Sequence, residues 1–154
     1  MNDKQRLLNY IRSNSTEKLD MRWADLKGIR LSGSDLRAVN FECADLSGAN
    51  LNACNLNGVN LVATDLTGAN MRMCMATKAN FECAVLKGAD LSDATFKETS
   101  LVLADLSGAV FEHTDFRNAD FSDAIIKDTD FATADVTGAD FTDSGFQKRS
   151  VKVG

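Results

Sequence analysis

Four cysteines and one histidine are the residues of this 154-residue chain whose side chains most readily bind metals or act as nucleophiles. Cys43, Cys54, Cys74 and Cys83 show no spacing typical of a zinc site, and His113 is the only histidine. A nucleophile also needs a base within hydrogen-bond reach, which nothing around His113 indicates. We therefore predict no catalytic, metal-binding or cofactor-binding residues, and we interpret Cys54 and Cys74 as buried thiols rather than as a disulfide.

Acidic residues are concentrated near the C-terminus and form the candidate functional surface. Residues 112–143 carry nine negative and two positive charges, a net charge of −7, whereas residues 21–111 carry ten negative and eight positive, a net charge of −2. The predicted anionic docking surface consists of Asp115, Asp120, Asp123, Asp128, Asp130, Asp135, Asp140 and Asp143.

Two interpretations of this acidic surface stay open at the level of sequence. It could steer and bind a partner protein electrostatically. Alternatively, the aspartates could serve as turn-favouring residues on a solvated polar surface. The net charge of the whole chain is −5, which disfavours direct binding of nucleic acid through its phosphates.

A five-residue repeat must position these side chains. A large apolar residue recurs at every fifth position from Met21 to Phe146, with a small centre only at Ala76, which makes 26 pentads. All nine phenylalanines fall at this position. The residue two places before it is small in 24 of the 26 pentads, and the residue one place before it is Asp or Asn in 18 of them.

A period of five fits neither an α-helix nor a simple β-strand, but it fits a chain that turns a corner after every pentad. Each pentad then points its large apolar residue inward, and no pentad can bury that residue alone, so successive coils must stack. The predicted inward residues include Phe41, Leu46, Leu51, Leu56, Leu61, Leu66, Phe81, Leu86, Phe111, Phe116, Phe121, Phe131, Phe141 and Phe146.

Two further features indicate that four pentads make one coil. Glycine occurs at positions 28, 48, 68, 88 and 108, which is once in every fourth pentad, so one corner carries glycine in five successive coils. The third residue of a type II turn needs a positive φ, which glycine adopts most easily. The segment Asn40–Leu51 (NFECADLSGANL) also nearly reappears two coils later as Asn80–Leu91 (NFECAVLKGADL).

The repeat resembles a known family. Runs such as ADLSG at residues 44–48 and ANLNA at residues 49–53 are similar to the A-(D/N)-L-x-x pattern of pentapeptide-repeat proteins, and the resemblance covers about residues 19–151. It implies an all-β fold, a right-handed parallel quadrilateral β-helix with four pentads in each coil. The chain would form about 6–7 coils and a rod roughly 30 Å long at the spacing of about 4.8 Å per coil.

The N-terminus departs from the repeat. Leu7, Leu8, Tyr10 and Ile11 recur at helical spacing, so we predict a short α-helix that caps the first coil. An amphipathic helix that binds a partner is the alternative. Trp23, the only tryptophan, falls at a corner of the first coil, and we expect it to pack beneath this helix; a contact anchor for a partner is the alternative.

The predicted domain organisation has three parts: a capping helix and linker at 1–18, the repeat domain at 19–151, and a tail at 152–154. No apolar run has the length of a membrane span, and the N-terminus lacks the apolar core of a signal peptide. We therefore expect a cytoplasmic protein that does not bind membranes.

The sequence predicts a non-catalytic scaffold whose anionic surface binds another protein. The family resemblance supplies an alternative, because some bacterial pentapeptide-repeat proteins occupy the DNA-binding groove of DNA gyrase and give fluoroquinolone resistance. The C-terminal end is rich in phenylalanine and has no predicted capping helix, so pairing of two copies through this end is a further hypothesis.

Overall fold

A computed structural model describes residues 1–146, and these residues form one short helix followed by a parallel β-helix solenoid. Helix α1 spans Asp3–Arg12, strand β1 spans Leu19–Asp20 and strand β2 spans Val39–Asn40. Strand β1 pairs in parallel with β2 in a register that joins residue 19 to residue 39. Residues 147–154, which include the end of the predicted repeat domain and the predicted tail, lie outside the described residues.

The same register continues along the chain as isolated parallel bridges. Each bridge joins a residue to its equivalent four pentads later, from Asp25 and Asp45 to Asp120 and Asp140. A coil therefore consists of four pentads, and each coil stacks on the one before it. The bridges are single because the chain turns a corner after every pentad, which leaves too few extended residues for a longer strand.

One pentad shows how the coils are held together. Asp45 donates its N–H to the preceding coil at 2.9 Å, and Leu46 and Gly48 donate theirs to the following coil at 2.8 Å. Ala49 donates its N–H to the carbonyl of Leu46 at 3.0 Å and so closes the turn at the corner. Four of the five backbone N–H groups are thus satisfied by stacking and turning, and only the N–H of Ser47 needs another partner.

Helix α1 lies against the first coil. The Asn2 side chain accepts the N–H of Gln5 at 2.9 Å, which caps the start of the helix. Leu7 is fully buried, whereas Leu8, Tyr10 and Ile11 are partly buried against the core. No helix within residues 1–146 is long and apolar enough to cross a membrane.

Trp23 does not pack beneath the helix, and that expectation is wrong. Its side chain is 77% exposed. Trp23 is the third residue of a corner turn and has a φ of +62°, and this backbone conformation directs the side chain out from the corner of the coil.

The large apolar residues of the pentads fill the interior of the solenoid. Of the 14 predicted inward residues, 12 are buried, with an exposed fraction of 3% or less. Phe141 and Phe146 are partly buried at the C-terminal end, where their rings stack at a centroid distance of 4.0 Å. Phe121 connects the buried interior to the rings at the C-terminal end. Its ring stacks on that of Phe141 at 4.7 Å and meets that of Phe116 edge to face at 5.0 Å.

Positive φ angles are more widespread than the glycine pattern predicts. The five glycines at one corner have φ between +62° and +68°, but many non-glycine residues of the solenoid, such as Ala53, Lys78 and Asp123, also have positive φ. A side chain in this region costs about 1 kcal/mol relative to glycine. All four corners therefore use the same kind of turn. Glycine, which adopts positive φ at the lowest cost, occupies one of these corners in five successive coils.

Thr133 is an exception, and the ladder opens beside it. A β-branched residue strongly resists positive φ, and Thr133 does not adopt it. The series of bridges skips the pair 110 and 130, and the N–H of His113 is accepted by the Thr133 hydroxyl at 3.1 Å rather than by a backbone carbonyl. A surface groove of about 470 Å³ lies at this opening.

Replacing Phe121 by Asp should unfold the C-terminal coils. The substitution buries a carboxylate among aromatic rings, and we expect a loss of about 4 kcal/mol or more in the free energy of unfolding, measured by urea denaturation. The control is Ile125→Asp, because Ile125 is 50% exposed and should tolerate the charge with little loss. Equal stability of Phe121→Asp and the wild type would contradict the inward position of this residue.

Replacing Thr133 by Gly should stabilise the protein. Glycine permits the positive φ of the other corners, so the ladder between residues 110 and 130 can close, and we expect a gain of about 1 kcal/mol in unfolding free energy, again measured by urea denaturation. The converse control is Gly108→Thr, which should open a closed corner and lower stability. A less stable Thr133→Gly variant would mean that the hydroxyl bond to His113 matters more than the backbone conformation.

Candidate functional site

The eight predicted surface aspartates belong to two structural classes. Five of them stand one place before an inward residue, and we call these the ladder aspartates: Asp115, Asp120, Asp130, Asp135 and Asp140. One oxygen of each carboxylate accepts the backbone N–H two residues later, at 2.8 to 3.1 Å. This donor is the one N–H of each pentad that stacking and turning leave without a partner.

The same bond occurs throughout the solenoid. All 18 Asp or Asn residues in this position, from Asp20 to Asp140, accept the N–H two residues later. Asp and Asn side chains are well suited to such local bonds to the backbone. The ladder aspartates therefore have a structural role, whatever else they do.

The other three residues form the second class, which we call the corner aspartates: Asp123, Asp128 and Asp143. They are exposed, and each has a φ of +56° or +57° at the third residue of its turn. Among residues 1–146, none of these three carboxylates accepts a hydrogen bond or forms an ion pair. Their charge makes no such contact with the described fold, so it is available to a partner.

The solenoid gathers four of the eight aspartates on one face. Asp120 and Asp140 are joined by a bridge, so they lie one coil apart, about 4.8 Å. Asp123 and Asp143 follow three residues after them and occupy the adjoining corner, again one coil apart. We call these four residues the acidic face. Repulsion among four carboxylates this close favours a cationic partner that lies across them.

A different face carries Asp115 and Asp135, where an arginine partly neutralises them. The Arg117 guanidinium lies 2.6 Å from Asp115 and 3.6 Å from Asp135. Its hydrogen bond lowers the pKa of Asp115 below the usual value. On the acidic face, the Thr142 hydroxyl and N–H lower the pKa of Asp140 in the same direction. Both carboxylates are therefore ionised at neutral pH and keep their charge in mildly acidic solution.

The thiols and the histidine have no catalytic environment among the described residues. The Cys54 and Cys74 thiols donate to buried backbone carbonyls at 2.9 and 2.8 Å, and burial raises their pKa to about 11 and about 12. Such thiols stay protonated and are poor nucleophiles. The His113 side chain is 71% exposed and lies 4.0 Å from Asp93. Within residues 1–146, no group of three metal-ligating side chains converges.

The division of the aspartates is the feature that the sequence interpretation missed. Position within the pentad is the signal that could have revealed it, because ladder aspartates precede the inward residue by one place and corner aspartates follow it by two. The predicted docking surface groups all eight together, whereas the register of the coils separates those that share a face from those that do not.

Two family models match the chain. A model described as pentapeptide repeats (8 copies) matches residues 104–143, and one described as a pentapeptide repeat region matches residues 34–110, which is half of the chain. The resemblance predicted from the A-(D/N)-L-x-x runs is thereby confirmed. No curated protein is significantly similar to the chain.

Solved structures of repeat proteins are also similar. A pentapeptide repeat protein from the thylakoid lumen of Arabidopsis thaliana is 30% identical, over 80% of this chain and 69% of that one, with a TM-score of 0.34. QnrB1, a plasmid-mediated fluoroquinolone resistance protein, is 20% identical over 86% and 78%, with a TM-score of 0.39. Rfr23 from the cyanobacterium Cyanothece is 18% identical over 96% and 97%, with a TM-score of 0.38.

Replacing Asp120 by Ala should destabilise the protein, whereas replacing it by Asn should not. Alanine leaves the N–H of Ser122 without its acceptor, and we expect a loss of about 1 kcal/mol in the free energy of unfolding. Asparagine keeps the acceptor and removes only the charge. Urea denaturation of both variants checks this, and equal losses in the two would mean that charge rather than the hydrogen bond holds this position.

Proposed function

The chain belongs to the pentapeptide-repeat family, and we propose that it is a non-catalytic interaction protein whose acidic C-terminal coils bind another protein. The proposal includes a right-handed, four-sided rod of about 6–7 coils as the support of this surface. It places the protein in the cytoplasm, where its four free cysteines would stay reduced.

The choice of Asp over Asn in the C-terminal coils is the observation that carries the proposal. Between residues 40 and 80, six of the eight Asp or Asn residues that accept the N–H two places later are Asn, whereas between residues 105 and 140 all six are Asp. An amide oxygen and a carboxylate oxygen both accept this bond, so the fold does not require the charge. The acidity therefore exceeds what the fold needs, and a partner protein with basic side chains could use it.

The rigidity of the rod supports binding through this surface. Each ladder aspartate has one oxygen fixed by a backbone N–H, so its carboxylate is already oriented before a partner arrives. Pre-ordered side chains lose less conformational entropy on binding. Lysine and arginine side chains of a partner protein would complement the acidic face, and the field would accelerate their encounter.

DNA mimicry at DNA gyrase is a second candidate, and local charge density favours it. Residues 112–143 cover about 1.6 coils, or about 8 Å, so a net charge of −7 corresponds to roughly one charge per 1.1 Å. Duplex DNA carries about one charge per 1.7 Å. From residue 21 to 143, however, the net charge is −9 (−2 and −7) over about 30 Å, or roughly one charge per 3 Å. The DNA-like density is confined to the last coils, which is why the protein scaffold is the first proposal.

One candidate contact between two copies is the C-terminal end of the rod. Phe141 and Phe146 are only partly buried there, and contact with a second copy would cover them.

A binding experiment with the corner aspartates tests the proposed function. The triple variant Asp123→Asn, Asp128→Asn and Asp143→Asn should keep its thermal stability, because these carboxylates make no hydrogen bond or ion pair among residues 1–146. In a quantitative pull-down, partners captured by the wild type should be lost by this variant and by the wild type at high salt. The matched control is Met73→Ala, which changes an exposed side chain elsewhere and should bind normally.

The same variants separate the two candidate functions in a DNA gyrase supercoiling assay. Inhibition by the wild type that the triple variant loses would favour DNA mimicry over the scaffold. Partners captured with equal efficiency by the wild type and the triple variant, together with no effect on gyrase, would contradict electrostatic docking in either form.

A further inference from the structure

A row of five residues runs along one corner of the solenoid. Trp23, Cys43, Ala63, Cys83 and Leu103 lie in successive coils, and each is the third residue of its turn, with φ between +53° and +62°. The register of the bridges places them one above the other. At about 4.8 Å per coil, the row is about 19 Å long. We call it the corner ridge.

The ridge is apolar and largely exposed. Trp23 is 77% exposed and Leu103 is 53% exposed, while Cys83 is exposed and Cys43 partly so. The expected role of Trp23 beneath the helix is absent, so the fold does not explain why the largest side chain of the chain stands at a corner. Tryptophan is enriched among the interface residues that contribute most to binding energy.

The side chains of the ridge are arranged symmetrically by size. A large residue stands at each end, a cysteine stands next inward on each side, and the smallest residue, Ala63, stands at the middle. We propose that a second copy of this chain packs antiparallel on the corner ridge, about a two-fold axis at Ala63. Trp23 then contacts Leu103 of the partner subunit, and Cys43 faces Cys83 of the partner subunit.

The middle of the ridge allows the close approach that this pairing needs. Ala63 meets its own symmetry mate, so two methyl groups are all that separates the corners at the axis. The larger side chains at the ends then fill the space where the rods diverge. A two-fold contact requires such self-complementarity, because each patch meets its own copy in the opposite direction.

Charge also favours the antiparallel direction. Residues 1–40 carry eight positive and five negative charges, a net charge of +3, whereas residues 112–143 carry −7. Antiparallel rods place the basic end of one copy beside the acidic coils of the other, while parallel rods would place the two acidic ends together. The complementarity of the two ends therefore points to a second copy as the occupant, and to this orientation.

One pair of charges opposes the contact and provides an independent test. Glu42 and Glu82 each precede a ridge cysteine, so Glu42 would approach Glu82 of the partner subunit. Removing one of these charges should strengthen the pairing, and replacing Glu82 changes an exposed glutamate at a corner of the coil. The pairing uses a side of the rod and differs from contact through the C-terminal end. It does not depend on the proposed function.

Two single-cysteine changes test the arrangement directly. In the variant Cys43→Ser only Cys83 remains on the ridge, and in Cys83→Ser only Cys43 remains. Antiparallel pairing brings these two thiols together only when the variants are mixed. We expect mild oxidation with diamide, which removes one hydrogen from each thiol, to cross-link the mixture but neither variant alone. Cys54 and Cys74 are fully or almost fully buried and should not react.

Sedimentation equilibrium gives the second measurement. The wild type should show a reversible dimer that Trp23→Ala weakens at least tenfold, Glu82→Gln strengthens, and the control Met73→Ala leaves unchanged. Cross-linking of either variant alone would indicate parallel pairing and overturn the proposal. A monomer at all concentrations would also overturn the proposal. So would a dimer that neither cross-links in the mixture nor responds to Trp23→Ala, because its contact would lie elsewhere, as at the C-terminal end.

Discussion

The backbone N–H of the residue that follows each inward residue is the donor on which this structure depends. Stacking and turning satisfy the other four N–H groups of a pentad, but this one faces neither neighbouring coil, as the N–H of Ser47 shows. An Asp or Asn two places earlier accepts it in 18 of the 26 pentads, from the first coil to the last, and the other eight pentads have another residue there. The requirement explains why these residue types recur at this position, and it shows that recurrence of Asp in a repeat is not by itself a sign of function.

The requirement specifies an oxygen and not a charge, which makes the choice between Asp and Asn informative. The Asn50 side chain accepts the N–H of Asn52 at 3.0 Å, and the Asp120 carboxylate accepts the N–H of Ser122 at 2.9 Å. A region that uses only Asp therefore carries a negative charge that the backbone does not need. The corner aspartates strengthen this inference, because they accept no backbone N–H and still fall in the same coils.

Much of the fold could be predicted from sequence because the repeat is local and long. The phase of the large apolar residues indicates which side chains are buried, and the glycines at 28 to 108 indicate the length of the coil.

The corners were harder to predict. Trp23 was correctly placed at a corner, but its expected packing beneath the helix is wrong, because its place in the turn directs the side chain outward. Thr133 fits the repeat in sequence, but it does not adopt positive φ, and the bridge between residues 110 and 130 is absent beside it. In the candidate site, the predicted coil of four pentads implies that Asp123 and Asp143, 20 residues apart, share a corner, and the bridges of Asp115 with Asp135 and of Asp120 with Asp140 place Asp115 on another face.

The corners are also where the repeat of this chain constrains side-chain identity least. Most corner positions need a positive φ but no particular side chain, since residues as different in size as Gly48 and Trp23 both occupy them. One corner runs from Trp23 through Leu103 to Asp123 and Asp143, so it changes from apolar to acidic along the rod. Because the interior and the ladder leave these side chains free, a difference of this kind along one corner is not explained by folding. Antiparallel pairing would use the apolar part of that corner and bring the acidic part of each copy beside the basic end of the other. The acidic face would then be partly shielded in the pair, so self-association and partner binding would compete for the same corner.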